Sequence, residues 1–184
     1  EFNIKNLKTN IVTIRIGQGH GSGFFVGNNG YLLTNAHVVG DSKSVQIITS
    51  SGMEIEGQVI RKSKSRDVSL IKVPLKITNS LYLKFEIPDI ASDVYAAGTP
   101  IDEALKTTVT KGIISNIRVD NASGLKFIQA DASISPGNSG GPLFDKFGNV
   151  IGISVAKYNT NSAEGLGLFI PLQDAFSSIK LSIE

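Results

Sequence analysis

The chain holds 184 residues, with 18 Lys and Arg against 16 Asp and Glu, a formal +2 spread along its length. No basic patch points to nucleic acid or an anionic membrane, no apolar run approaches the ~18 residues of a spanning helix, and 41% hydrophobic residues exclude a disordered chain. Cysteine is absent and His numbers 2, which excludes disulfides, thiolate metal sites and a cysteine nucleophile and leaves a zinc site only carboxylates to lean on, so no metal or other cofactor is expected.

Short β-type segments recur about every ten residues. Residues 11–16 are β-branched and partly alternating, and 23–26 and 31–34 flank Gly27-Asn28-Asn29-Gly30. Asn-Gly between apolar runs signals a hairpin, because a type I′ turn needs positive φ at both central residues. Segments 45–49, 53–60 and 68–73 continue the series to Pro74. The stretch 75–92 is irregular, carries Pro88 and reads as a connection. Segments 94–97, 107–117, 125–130, 142–144, 150–157 and 165–170 follow, with Phe147-Gly148-Asn149 as a tight turn. Only the tail reads as helix: Leu172, Ala175, Phe176 and Ile179 fall at helical spacing after Pro171. About six strands, a connection and six more predict an all-β fold of two packed barrels with a C-terminal helix. The boundary is expected near 85, giving 1–85 and 86–184. The N-terminus, Glu1 to Asn6, lacks the basic region and apolar core of a secretory leader.

Three stretches carry chemistry. Ser135-Pro136-Gly137-Asn138-Ser139-Gly140-Gly141-Pro142-Leu143 surrounds a serine with glycines. They let the chain turn so that several N–H groups converge on a carbonyl oxygen. A hydroxyl nucleophile is expected to be exposed there, with Gly140-Gly141 leaving room for a substrate backbone; the same stretch can also be a plain turn. His37, in Leu33-Thr34-Asn35-Ala36-His37-Val38-Val39, is either a core histidine or a base that takes a hydroxyl proton near neutral pH. Asp67 opens the strand-like run 68–73. It is either a turn residue or the acceptor that orients the imidazole. Asp67 follows His37 by 30 positions and Ser139 follows Asp67 by 72.

That order and those contexts resemble the chymotrypsin-fold serine peptidases, and the HtrA/Deg family most closely. The resemblance rests on residues 21–39, 66–73, 97–100, 108–115, 129–143 and 165–171 and covers roughly 10–182. It implies two perpendicular six-stranded antiparallel barrels, His37 and Asp67 on the first and Ser139 on the second. It implies His37 as general base, Asp67 as its orienter, Ser139 as nucleophile, and the N–H groups of Gly137 and Ser139 as oxyanion donors. Endopeptidase action on unfolded or exposed protein segments follows, outside the bacterial cytoplasm or in an organelle. Homotrimers built through N-terminal contacts, with Phe2 and Ile4 as candidates, are the assembly it implies. A protease-fold binding protein or chaperone that rests without turnover is the rival reading.

Asn138 stands where digestive relatives carry an Asp that pairs with a cut N-terminus, so gating by loop ordering is expected instead. By position relative to Ser139, the residues Ser133, Ile134, Val155, Ala156 and Lys157 line or border the substrate pocket. Ser133 stands six residues before the nucleophile, where basic specificity would require Asp. Lys157 either snorkels, its stem an apolar wall, or admits acidic side chains. His20 is expected in a flexible glycine loop as a plain polar residue. Gly17–Gly23 precede a strand, which argues against a phosphate site at a helix N-terminus.

Overall fold

The computed structural model describes residues 3–99, 107–155 and 167–182. The first barrel is built from β1 (Ile11–Ile16), β2 (Gly19–Val26), β3 (Tyr31–Thr34), β4 (Ser44–Ile48), β5 (Glu54–Ser63) and β6 (Val68–Lys72). It closes in the order β1-β2-β3-β6-β5-β4. The second uses β7 (Asp93–Gly98), β8 (Thr108–Val119), β9 (Lys126–Ala130), β10 (Pro142–Asp145), β11 (Val150–Val155) and β12 (Gly167–Pro171). It repeats the same order, β7-β8-β9-β12-β11-β10, and all these pairings are antiparallel. Closure gives each of these strands a neighbour on both sides over part of its length. The all-β expectation of two six-stranded barrels and a terminal helix therefore holds.

Period-two alternation explains how one strand serves two cores. Phe25, Leu32 and Ile71 fill the first barrel, whereas their neighbours Phe24, Val26, Leu33 and Leu70 join a cluster shared with Phe144, Ile153 and Ile170 of the second. The barrels are thus joined by a continuous apolar seam. Helix α3 (Leu172–Ser178) closes one end of it with Leu172, Ala175 and Phe176, followed by Ile179. Phe176 meets Phe85 edge to face, with ring centroids 5.1 Å apart.

Several local expectations change. The β2–β3 hairpin forms with Val26 opposite Tyr31, but the left-handed residues are Gly27 and Gly30, at φ 69 and 83, and not Asn29. This is a four-residue loop in which Gly30 backs onto the first barrel: a Cβ there would lie 2.2 Å from the Val73 carbonyl oxygen. Among the described residues two α-helices besides α3 form, α1 (Ile4–Lys8), capped by Asn3, and α2 (Ala36–Val39). Each spans about one turn, too short for a 3.6-residue pattern to register. His20 lies in β2, paired with Arg15, and not in a glycine loop. Among the described residues no helix is long and apolar enough to cross a membrane.

Candidate active site

The hydrogen-bond register of the first barrel brings His37 to Asp67. β3 and β6 are neighbours with Thr34 opposite Ser69, so the residues just beyond β3 face those just before β6. Asp67 occupies the left-handed region at φ 69, a conformation Asp tolerates at about 1–2 kcal/mol. Its carboxylate reaches α2 twice: Oδ1 accepts the backbone N–H of His37 at 2.8 Å and Oδ2 lies 2.7 Å from His37 Nδ1. A carboxylate only accepts, so the ring hydrogen sits on Nδ1 and Nε2 presents a lone pair. Asp67 is 3% exposed, while the His37 side chain is 31% exposed.

Ser139 arrives from the second barrel, between a 3-10 turn over Pro136–Asn138 and strand β10. Its Oγ lies 3.0 Å from His37 Nε2 and donates to Asn35 Oδ1 at 2.7 Å. Its carbonyl accepts the Ser22 N–H at 2.9 Å. The Ser22 hydroxyl donates to the Gly137 carbonyl at 2.7 Å and accepts the Thr99 N–H at 2.8 Å. Gly140, at φ 89, has no room for a Cβ, which would lie 2.3 Å from the Ser22 carbonyl oxygen and 2.3 Å from Thr34 Oγ1. At Gly141 a Cβ would lie 2.1 Å from the Ala97 carbonyl oxygen. The glycine pair therefore lets the Ser139 loop fit between the barrels, its Cβ directions filled by Ser22, Thr34 and Ala97. Ser139 is 2% exposed, where an exposed side chain was expected, because the loop is pressed onto β2 by these bonds.

The pocket residues come out as follows. Ser133 is exposed, and its carbonyl accepts the Thr110 hydroxyl at 2.8 Å. Ile134 is half-buried, its Cδ1 2.7 Å from where a Cβ on Gly167 would stand. Val155 is buried and pairs with Leu168, next to Gly167, so Ile134 and Val155 border the same end of β12. Ala156 and Lys157 lie outside the described residues. Asn138 is buried, with Oδ1 3.5 Å from the Thr108 hydroxyl. Among the described residues no cluster of three His, Asp or Glu side chains forms a metal site. Asn35 carries no sign of a site role in the sequence; its partner Ser139 is 104 positions away.

Residues 21–153 match the family model described as a trypsin-like peptidase domain. HhoB of Synechocystis sp., a serine protease by its name, is 39% identical over 167 residues, covering 86% of this chain and 39% of the relative. The "Probable periplasmic serine endoprotease DegP-like" of Bartonella henselae is 34% identical over 175 residues, covering 89% and 33%. The "Magnetosome formation protease MamE" of Magnetospirillum gryphiswaldense is 33% identical over 173 residues, covering 89% and 22%. The chain thus spans well under half the length of these relatives.

Proposed function

From the premise that the chain belongs to the trypsin-like peptidase family, as a protease domain of the HtrA/Deg type, we propose that it is a serine endopeptidase working through Ser139, His37 and Asp67. The observation that carries this is the continuous line from Asp67 Oδ2 through His37 Nδ1 and Nε2 to Ser139 Oγ, at 2.7 and 3.0 Å. Ser139 Oγ attacks the scissile carbonyl carbon while His37 Nε2 takes its proton, and Asp67 stabilises the imidazolium. His37 then returns the proton to the leaving amine, and water discharges the acyl-serine by the reverse sequence. The Gly137 and Ser139 N–H groups take the oxyanion, each donor contributing about 2.7–4 kcal/mol to the transition state.

Substrates are unfolded or exposed segments that lie extended beside the second barrel, held by backbone hydrogen bonds, with Ser133, Ile134 and Val155 bordering the side-chain pocket. Relatives named as periplasmic support action outside the cytoplasm. A homotrimer is the assembly the family suggests.

The second reading, a chain at rest that binds without cleaving, is favoured by one observation. Gly137, one of the two oxyanion donors, sits in a 3-10 turn over Pro136–Asn138, with the Asn138 N–H already donating to the Ser135 carbonyl at 2.9 Å. In such a turn N–H groups point back along the chain, so the turn must open for Ser139 to act.

Fluorophosphonate labelling tests both. The wild type is labelled at Ser139 and cleaves an unfolded protein, while Ser139→Ala keeps its far-UV circular dichroism and loses both. Labelling or hydrolysis that survives Ser139→Ala refutes the assignment, and an unlabelled, uncleaving wild type that still binds unfolded protein establishes the second reading.

A further inference from the structure

Asn35 stands at the N-cap of α2 with extended backbone angles, φ −83 and ψ 149. An Asn there ordinarily accepts an N–H from the first helical turn and stabilises the helix. Asn35 makes no such bond. Its side chain, 0% exposed, turns into the catalytic line instead. Nδ2 donates to the Asp67 carbonyl at 3.0 Å, and Oδ1 accepts from Ser139 Oγ at 2.7 Å. The amide orientation is fixed by chemistry, since the flipped amide would set Oδ1 against the Asp67 carbonyl, acceptor against acceptor.

Ser139 has one hydroxyl hydrogen, and two acceptors face it: Asn35 Oδ1 at 2.7 Å and His37 Nε2 at 3.0 Å. Both cannot be served at once while the His37 hydrogen is on Nδ1. We propose that Asn35 is a latch on the nucleophile: in the free enzyme it holds the Ser139 O–H away from His37, and the O–H must swing from Asn35 to Nε2 before attack. The inference rests on the triad reading above.

Its energetic sense follows from burial. When the proton goes from Oγ to Nε2 and Oγ bonds to the substrate carbon, whose π pair moves onto oxygen, Asn35 Oδ1 loses the hydroxyl that served it. A buried acceptor left without a donor is destabilising. Asn35 therefore favours the free serine over both the attacking and the acylated forms. The slow step it imposes is acylation; deacylation, in which water attacks and His37 returns a proton to Oγ, ends by restoring its partner.

The test compares wild type with Asn35→Leu, which is similar in size and offers no acceptor, and with Asn35→Ser, whose side chain is too short to span Asp67 and Ser139. The readouts are the rate of fluorophosphonate labelling per folded molecule and the burst with a p-nitrophenyl ester. Labelling and the burst phase are expected to speed up about tenfold, a gain that mere loss of structure does not produce. Labelling as slow as wild type, or slower, in a variant that keeps the wild-type melting temperature overturns the latch. Parallel Ser139→Ala controls separate the two failures. Labelling that survives Ser139→Ala defeats the triad reading. Labelling that needs Ser139 but gains nothing from losing Asn35 defeats the latch alone.

Discussion

Replacing Arg66 by Met tests how Asp67 is anchored. Arg66 precedes Asp67 directly and is 5% exposed. Its Nη2 donates to the Lys126 carbonyl on β9 at 2.7 Å, its guanidinium carbon lies 4.4 Å from the Phe127 ring centroid, and Nη1 sits 3.4 Å from Asp174 Oδ2 on α3. Methionine keeps an apolar stem and removes the charge and its donors. The lost terms are a charge-assisted hydrogen bond of about 1.5–3 kcal/mol and a desolvated cation–π contact of about 2 kcal/mol. The ion pair adds only ~0.5 kcal/mol, because the Asp174 side chain is 36% exposed. Relief of the buried charge's desolvation offsets part of this, leaving a net loss of about 3 kcal/mol. At roughly 2–4 °C per kcal/mol for a domain of this size, the melting temperature falls by about 6–12 °C. Because the group is buried, most of the loss persists at high salt. The assay is a thermal melt followed by circular dichroism at low and high salt. A Met variant within about 2 °C of wild type refutes the idea that Arg66 pins the Asp67 turn to the second barrel.

Gly140→Ala forces a side chain into the left-handed region and onto the Ser22 carbonyl and the Thr34 hydroxyl, so it is expected to abolish Ser139 labelling and lower the melting temperature by more than about 5 °C, from left-handed strain of about 1–2 kcal/mol plus backbone displacement. Gly52→Ala is the control: it has positive φ but nothing within 4 Å, and its expected loss is only about 1–2 kcal/mol with activity kept. In the β8–β9 loop the Ser123 hydroxyl holds the Asp120 carboxyl below its ordinary 3.8; these bonds are present in full above the usual carboxylate range and fade as pH falls through the lowered value. Ser123→Ala is expected to move that titration back up toward 3.8, read by NMR, and an unmoved curve refutes the cause.

The barrels were legible because their signals are local. β-Branched runs such as Ile11–Ile16 and alternation such as buried Val45 and Ile47 in β4 are properties of neighbouring residues, and the turn at Gly148, φ 86, shows in its glycine. His37, Asp67 and Ser139 could be singled out because their flanking residues are distinctive, although the distances that join them depend on the β3–β6 register and the barrel seam. What stayed hidden was set by tertiary contact. α2 is four residues of Ala-His-Val-Val, with too little length to show a period. Gly140 and Gly141 fit against Ser22 and Ala97, contacts that no neighbouring residue announces. The diversion of Asn35 from its helix cap to Ser139 is a choice made by the folded chain, since the same residue type at the same position would serve as a cap.

The clamp made by Ser22 has a consequence for how the chain is made. Its hydroxyl bonds Gly137 and Thr99, its N–H bonds the Ser139 carbonyl, and its own strand belongs to the other barrel. A chain emerging from the ribosome completes His37 and Asp67 well before Ser139 exists, and the serine loop then has to be seated on a strand made more than a hundred residues earlier. A half-made chain therefore holds His37 and Asp67 without Ser139. Synthesis itself keeps the parts of the proposed centre separate until the second barrel docks, so that site assembles last, and only on molecules whose two halves have both folded.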